Sequence, residues 1–222
     1  VRKLTLPTCL GPMMLLALLA LSGCGMLLGV NRQPLTVYDL HIHMSADSTW
    51  PKVSWQLTVA KPIAGRMVDS PRVLVRPHSA ELQVYAGVAW SQPAPDLLQG
   101  ALVHAFEDSG RIAAVARSNT GIYTDYRLVT ELRRFEVDYH TTKNTPTATV
   151  EISAKLINPR NQRIIAARTV LVSEMAADTD LASVVAAFEM ALNQAVSTLV
   201  GWTLHNGQAD QRTHSPFKSA DH

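Results

Sequence analysis

The chain has 222 residues, 47% hydrophobic and 17% charged, with a formal charge of +2 at neutral pH. That length allows one domain with a substantial core, or two small ones, and the charge carries no nucleic-acid footprint. Its two cysteines, Cys9 and Cys24, offer no disulfide framework.

Near the N-terminus, Arg2 and Lys3 precede an apolar run from Met13 to Ala20. Leu21-Ser22-Gly23-Cys24 closes the run. A basic segment, a short apolar stretch and small residues in that order make a cleavable signal at 1–23. The run starts behind Pro12 and is short for a bilayer span, so a permanent transmembrane helix is the weaker reading. Leu-Ser-Gly-Cys matches the bacterial lipobox, in which cleavage makes the cysteine the new N-terminus. Cys24 is then the lipid-attachment residue, carrying covalent diacylglycerol and an N-acyl chain such as palmitate. A buried structural cysteine beside a membrane anchor is the alternative. Several acyl chains anchor stably where one is marginal. Gly25 stands where enterobacterial inner-membrane lipoproteins carry Asp, which favours the outer membrane. Arg2 and Lys3 leave with the signal and no acid does, so 18 acidic residues face an equal number of basic ones. Cys24 is then the sole cysteine, and packing alone must hold the domain.

Residues 24–34 read as a lipidated tether. From Pro34, the apolar residues Tyr38, Leu40, Ile42 and Met44 alternate with Asp39, His41 and His43, the pattern of a half-buried strand. Short strands follow at 55–60, 72–76 and 81–85. After Pro93 and Pro95 the period changes. Leu97, Leu98, Ala101, Leu102, Ala105 and Phe106 recur at helical spacing, and Gly110 stops a helix expected over about 94–109. A short strand is expected around Ile112–Val115.

Three long antiparallel strands are expected over 123–175. Tyr126, Leu128, Thr130 and Leu132 share a face, and Phe135, Val137 and Tyr139 continue in the opposite phase. A β-bulge at Arg133-Arg134 restores the face. Ala148, Val150, Ile152, Ala154 and Leu156 alternate cleanly. Ile164–Val172 is apolar on both sides and is expected centrally in the sheet. Asp178-Thr179-Asp180 caps a second amphipathic helix with its stripe at Leu181, Val184, Val185, Phe188, Leu192, Ala195, Val196 and Leu199, ending near Gly201. The polar tail 205–222 is expected to be disordered. The sum is an α+β two-layer sandwich: a mainly antiparallel sheet with two amphipathic helices on one face.

No catalytic motif is present, so no catalytic residue and no cofactor site is expected. Asp39, His41 and His43 would project from one face of a strand and could grip a metal, but strand alternation gives that spacing freely. They are read as a solvated face, with no metal site. Asp125, Arg127, Glu131 and Arg133 read as a charge ladder. Trp50, Trp55 and Trp90 read first as core or interface residues, with an apolar lipid groove as the lesser reading.

Taken in order, several pieces carry a likeness: Cys24, Tyr38-Asp39-Leu40, Leu57-Thr58-Val59-Ala60 with Pro62, and Asp69-Ser70-Pro71-Arg72-Val73. Tyr85, Trp90, Pro95-Asp96-Leu97-Leu98, Asp125-Tyr126-Arg127-Leu128 and Phe135 continue it. The sequence resembles the ABC-type transport auxiliary lipoprotein family, which includes PqiC-like proteins, over a domain at 35–204. The resemblance implies a non-enzymatic lipoprotein at the periplasmic face of the outer membrane. It implies an adaptor between the membranes whose partner is a periplasmic MCE-domain protein and, through it, a permease and an ATPase that move lipid. Some relatives form rings, so a homo-oligomer is implied as an option. A lipid carrier with its own cavity, and an envelope-assembly or synthase activator, are the alternatives.

Overall fold

The computed structural model describes residues 34–44, 46–118, 121–139 and 145–214. In chain order the strands are β1 (Thr36–Tyr38), β2 (Gln56–Val59), β3 (Ile63–Ala64), β4 (Arg72–Arg76) and β5 (Gln83–Trp90). Helix α1 (Ala94–Asp108) follows, then β6 (Ala114–Arg117), β7 (Tyr126–Asp138), β8 (Thr147–Asn158), β9 (Arg163–Met175) and helix α2 (Leu181–His214).

Strand β7 organises the sheet. Along one side it pairs antiparallel with β8, which pairs antiparallel with β9. Along its other side β2, β3 and β4 dock in succession, each parallel to it. Strand β6 extends from β2, and β5 and then β1 extend from β4. The result is an open, mixed nine-stranded sheet with two helices, an α+β fold. Its longest ladders are antiparallel, and the short strands add parallel pairs.

The ladder between β7 and β8 shifts register between Leu132 and Arg134, leaving Arg133 as the extra residue. This bulge lets both Leu132 and Phe135 enter the core despite their odd spacing. A second irregularity lies between β4 and β5, where Gly87 takes a φ of 70° that only glycine adopts cheaply.

Both helices pack on each other and on the same side of the sheet, α1 against β2 and β6, α2 across β8 and β9. Helix α1 starts behind Pro93, with Pro95 in its first turn, where a missing N–H costs nothing. Asp96 complements the positive helix end and binds Lys61 at 2.8 Å. The helix ends at Ser109 and Gly110, the latter at φ 58°. Asp180 caps α2: its carboxylate accepts the Ser183 N–H at 3.0 Å and hydroxyl at 2.7 Å. Those bonds from Ser183 hold the Asp180 carboxyl below its ordinary value. The described residues from Leu35 onward form one compact unit.

Three expectations need correction. The segment 35–44 is strand only to Tyr38. Beyond it Leu40 is buried, Ile42 and Met44 half-buried, and Asp39, His41 and His43 exposed, so alternation reported burial without ladder pairing. Strand β9 is an edge: it pairs with β8 alone, and Ile164, Leu171 and Met175 are exposed by 53%, 58% and 55%. Val170 and Val172 on the helix side join the core, while Leu171 and Met175 on the other face are surface, so apolar residues on both faces do not mark centrality here.

The third correction concerns the chain end. Helix α2 does not stop near Gly201 but runs to His214, so 205–214 is helix and not disordered tail; 215–222 lies outside the described residues. Gly201 is not a cap, and neither it nor Gly207 ends the helix. A Cβ on Gly201 would meet the Trp50 Nε1 at 2.5 Å, and one on Gly207 the Trp55 Cζ2 at 2.5 Å. Glycine is there so that indole rings can lie against the helix backbone. By length and composition α2 could cross a bilayer, but 61% of its apolar window is buried inside the domain. It is the central helix of the core.

Candidate partner-binding surface

Cys24 lies outside the described residues. Asp39, His41 and His43 follow β1 on an extended segment that crosses both helices. The Asp39 carboxylate accepts the Ser91 hydroxyl, and the His41 backbone N–H donates to Glu189 Oε1 at 3.0 Å. The three residues line a shallow cleft of about 250 Å3 with Gln92 and His104. Among the described residues no group of three or more His, Cys, Asp or Glu side chains could hold a metal ion.

The tryptophans take the core reading and not that of a groove. Trp50, Trp55 and Trp90 are all buried. Trp90 packs edge-on against Phe135 and Phe188, at centroid distances of 5.7 and 5.0 Å, and Trp55 against Tyr126 at 5.0 Å. These aromatic pairs cement the helix–sheet interface. The Tyr126 hydroxyl reaches the Gly207 carbonyl at 3.2 Å and Asp210 at 2.9 Å, tying β7 to the last turns of α2. Burial first, then the bond to Asp210, pushes the Tyr126 phenol up.

On the sheet face away from the helices, the charge ladder divides. Asp125 accepts the Gln56 N–H at 2.9 Å and faces Arg160 at 3.5 Å, not Arg127. Arg133 binds Glu131 at 3.1 Å and Glu151 at 3.6 Å. A denser network stands further along β7. Glu136, only 2% exposed, takes both Arg76 Nε at 2.7 Å and Arg76 Nη2 at 3.0 Å. Arg134 Nε binds the same carboxylate at 2.7 Å, and Arg134 Nη2 binds Asp138 at 2.9 Å. The bidentate bond to Glu136 raises the Arg76 pKa. Burial opposes the charge on Arg134, but its bonds to Glu136 and Asp138 outweigh that and raise its pKa too. Sequence reading missed this network because Arg76 and Glu136 meet only when β4 docks on β7.

Toward Arg127 and Glu131 the face is open: among the described residues no helix or strand lies over it, whereas Leu74 and Thr149, in register with Glu136, are buried. Ile63 stands beside Glu131, and Val84 beside Leu74, both exposed. Arg127 and Lys155 are exposed there as well. At one end of the sheet Ile122 and Tyr123 project, Tyr123 being 98% exposed. Tyr123, Asp125 and Arg160 line a depression of about 430 Å3. Isolated apolar side chains among arginines, with an aromatic at the rim, suit a protein contact better than a small-molecule pocket.

The family described as the ABC-type transport auxiliary lipoprotein component has a model that matches residues 38–200. The chain belongs to this family. Among solved structures, protein XCC0632 from Xanthomonas campestris is 51% identical, with a TM-score of 0.77 over 80% of this chain and 99% of that one. A further crystal structure of an uncharacterized protein shares the fold at a TM-score of 0.58 with 11% identity, over 75% of this chain and 97% of that one. A protein of Bradyrhizobium diazoefficiens, bll6063, is 28% identical over 176 residues, 79% of this chain. The chain spans 46% of that relative's length.

Proposed function

We propose that the protein is a non-enzymatic adaptor of an MCE-type ABC system that moves lipid between the inner and outer membranes. It is held at the periplasmic face of the outer membrane by lipid on Cys24, and its partner is the periplasmic MCE-domain protein, which links it to a permease and an ATPase. The observation that carries this reading is the open sheet face around β7, fixed by the Glu136 network and studded with Ile63, Val84, Arg127 and Lys155. It sits on a domain whose tryptophans fill the core instead of a cavity, which favours an adaptor over a lipid carrier. Gly25 behind the lipobox favours the outer membrane. Tethering confines the domain near its partner, so a modest contact gains from effective concentration.

The test is a soluble fragment. It must run from Gln33 to His214, because ending at Trp202 would remove the Gly207 seat of Trp55. The fragment should bind the MCE protein encoded beside it at micromolar concentration, and fail to complement a deletion in cells for lack of the anchor. Ile63→Arg with Lys155→Glu should weaken binding at least tenfold without lowering the melting temperature. No binding across micromolar concentrations overturns the adaptor reading. Native lipid co-purifying with the fragment would favour a carrier, and capture of a peptidoglycan synthase an activator.

A further inference from the structure

The free edge of β9 is a self-complementary surface. The strand has 13 residues and no proline, and among the described residues one of its sides is unpaired. Long flat edges recruit other strands unless they are guarded. Within Ile164–Met175 the charged residues are Arg168 and Glu174, of opposite sign. Arg168 pairs in register with Ala154, and Glu174 with Ala148, both buried in the core, so both side chains leave the strand on the helix side of the sheet. Neither has an ion-pair or hydrogen-bond partner for its side chain among the described residues.

We infer that β9 pairs antiparallel with β9 of a second copy of this chain, about a two-fold axis through Leu171. In that register Arg168 of each copy lies opposite Glu174 of the other, twice over. Thr169 meets Ser173, Val170 meets Val172, Ala167 meets Met175 and Leu171 meets itself. Opposed residues in an antiparallel pair point to the same face, and every one of these pairs obeys that rule. The register is also singular. An axis through Val170 sets Arg168 against Val172, and an axis through Val172 sets it against Ala176, leaving both charges without counterparts. Charges placed to repel a foreign strand need no such match, since one sign at any inward position serves. Helix α2 lies across β8 and β9, so the pairing leaves the two α2 helices about two strand spacings, roughly 10 Å, apart, an ordinary helix-packing distance. The exposed Leu171 and Met175 side chains are then covered by their counterparts on the outer face.

This inference is independent of which transporter the domain serves. The test uses the full-length protein in its native membrane and in detergent. Leu171→Cys should give a disulfide-linked dimer on a non-reducing gel, at least tenfold more than wild type, which controls for Cys9 and Cys24, and than the exposed control Met67→Cys. Arg168→Glu or Glu174→Arg alone should weaken self-association about tenfold by sedimentation, because each turns two attractive cross-strand pairs into repulsive ones. The double exchange Arg168→Glu with Glu174→Arg should restore association to within about twofold. Cross-linking of Leu171→Cys no stronger than Met67→Cys overturns the interface. Reversals that leave association unchanged, or a double exchange no better than either single change, overturn the register. A cross-link from position 171 to a different protein overturns the choice of partner.

Discussion

The Trp55 indole lies directly against the backbone of Gly207, so closely that a Cβ there would sit 2.5 Å from Cζ2 and 2.9 Å from Cε2. Alanine normally stabilises a helix relative to glycine by about 1 kcal/mol. Here the ring cannot retreat, because Trp55 is buried and braced by Tyr126. Gly207→Ala should therefore destabilise the domain by about 1–3 kcal/mol through overpacking. Gly100 in α1 offers the contrast, since its added Cβ would meet only the Arg117 Nη2 at 3.8 Å. Gly100→Ala should stabilise by about 0.5–1 kcal/mol. Urea denaturation of the two variants checks the opposite signs.

The two helices belong to one cooperative core. Leu102 of α1 and Phe188 of α2 are both completely buried, and Phe188 touches Phe135 and Trp90 across the sheet. Leu102→Asp and Phe188→Asp each bury a charge with no partner, at a cost of several kcal/mol. Each should abolish folding of the whole domain. Calorimetry checks this: wild type should show one transition and neither variant any, whereas a surviving partial transition would mean separable halves.

Acid should release the cap at the start of α2. The bonds from Ser183 to Asp180 keep that carboxyl below its ordinary value. A depressed carboxyl contributes stability above its unfolded pKa and loses it as pH falls through the folded value. The difference between wild type and Asp180→Ala should thus be full at neutral pH and vanish below the usual aspartate range. Amide exchange at Ser183 and Val184 provides the readout, and a pH-independent difference would contradict the cap.

Processing should depend on Cys24. Cys24→Ala should accumulate as uncut precursor or be released by a different cleavage, and should take up no radiolabelled palmitate. Equal labelling of variant and wild type would exclude the lipobox.

Local order was legible from the residues themselves. The α1 stripe and its stop at Gly110, the Asp180 cap, the three long strands and the bulge beside Arg133 all follow from spacing and turn chemistry within a few residues. So did the family resemblance, carried by order along the chain. What the tertiary structure alone decided depends on partners far apart in sequence. Gly201 reads as a helix stop until Trp50 is seen lying on it, and the same contact recurs between Gly207 and Trp55. Glu136 gains its buried ion pair only when β4 brings Arg76 to it. Ile164–Val172 reads as a central strand because apolar residues on both faces look alike whether the covering layer comes from this chain or from another molecule. Periodicity records that a side chain is to be buried, and only the assembled sheet shows against what.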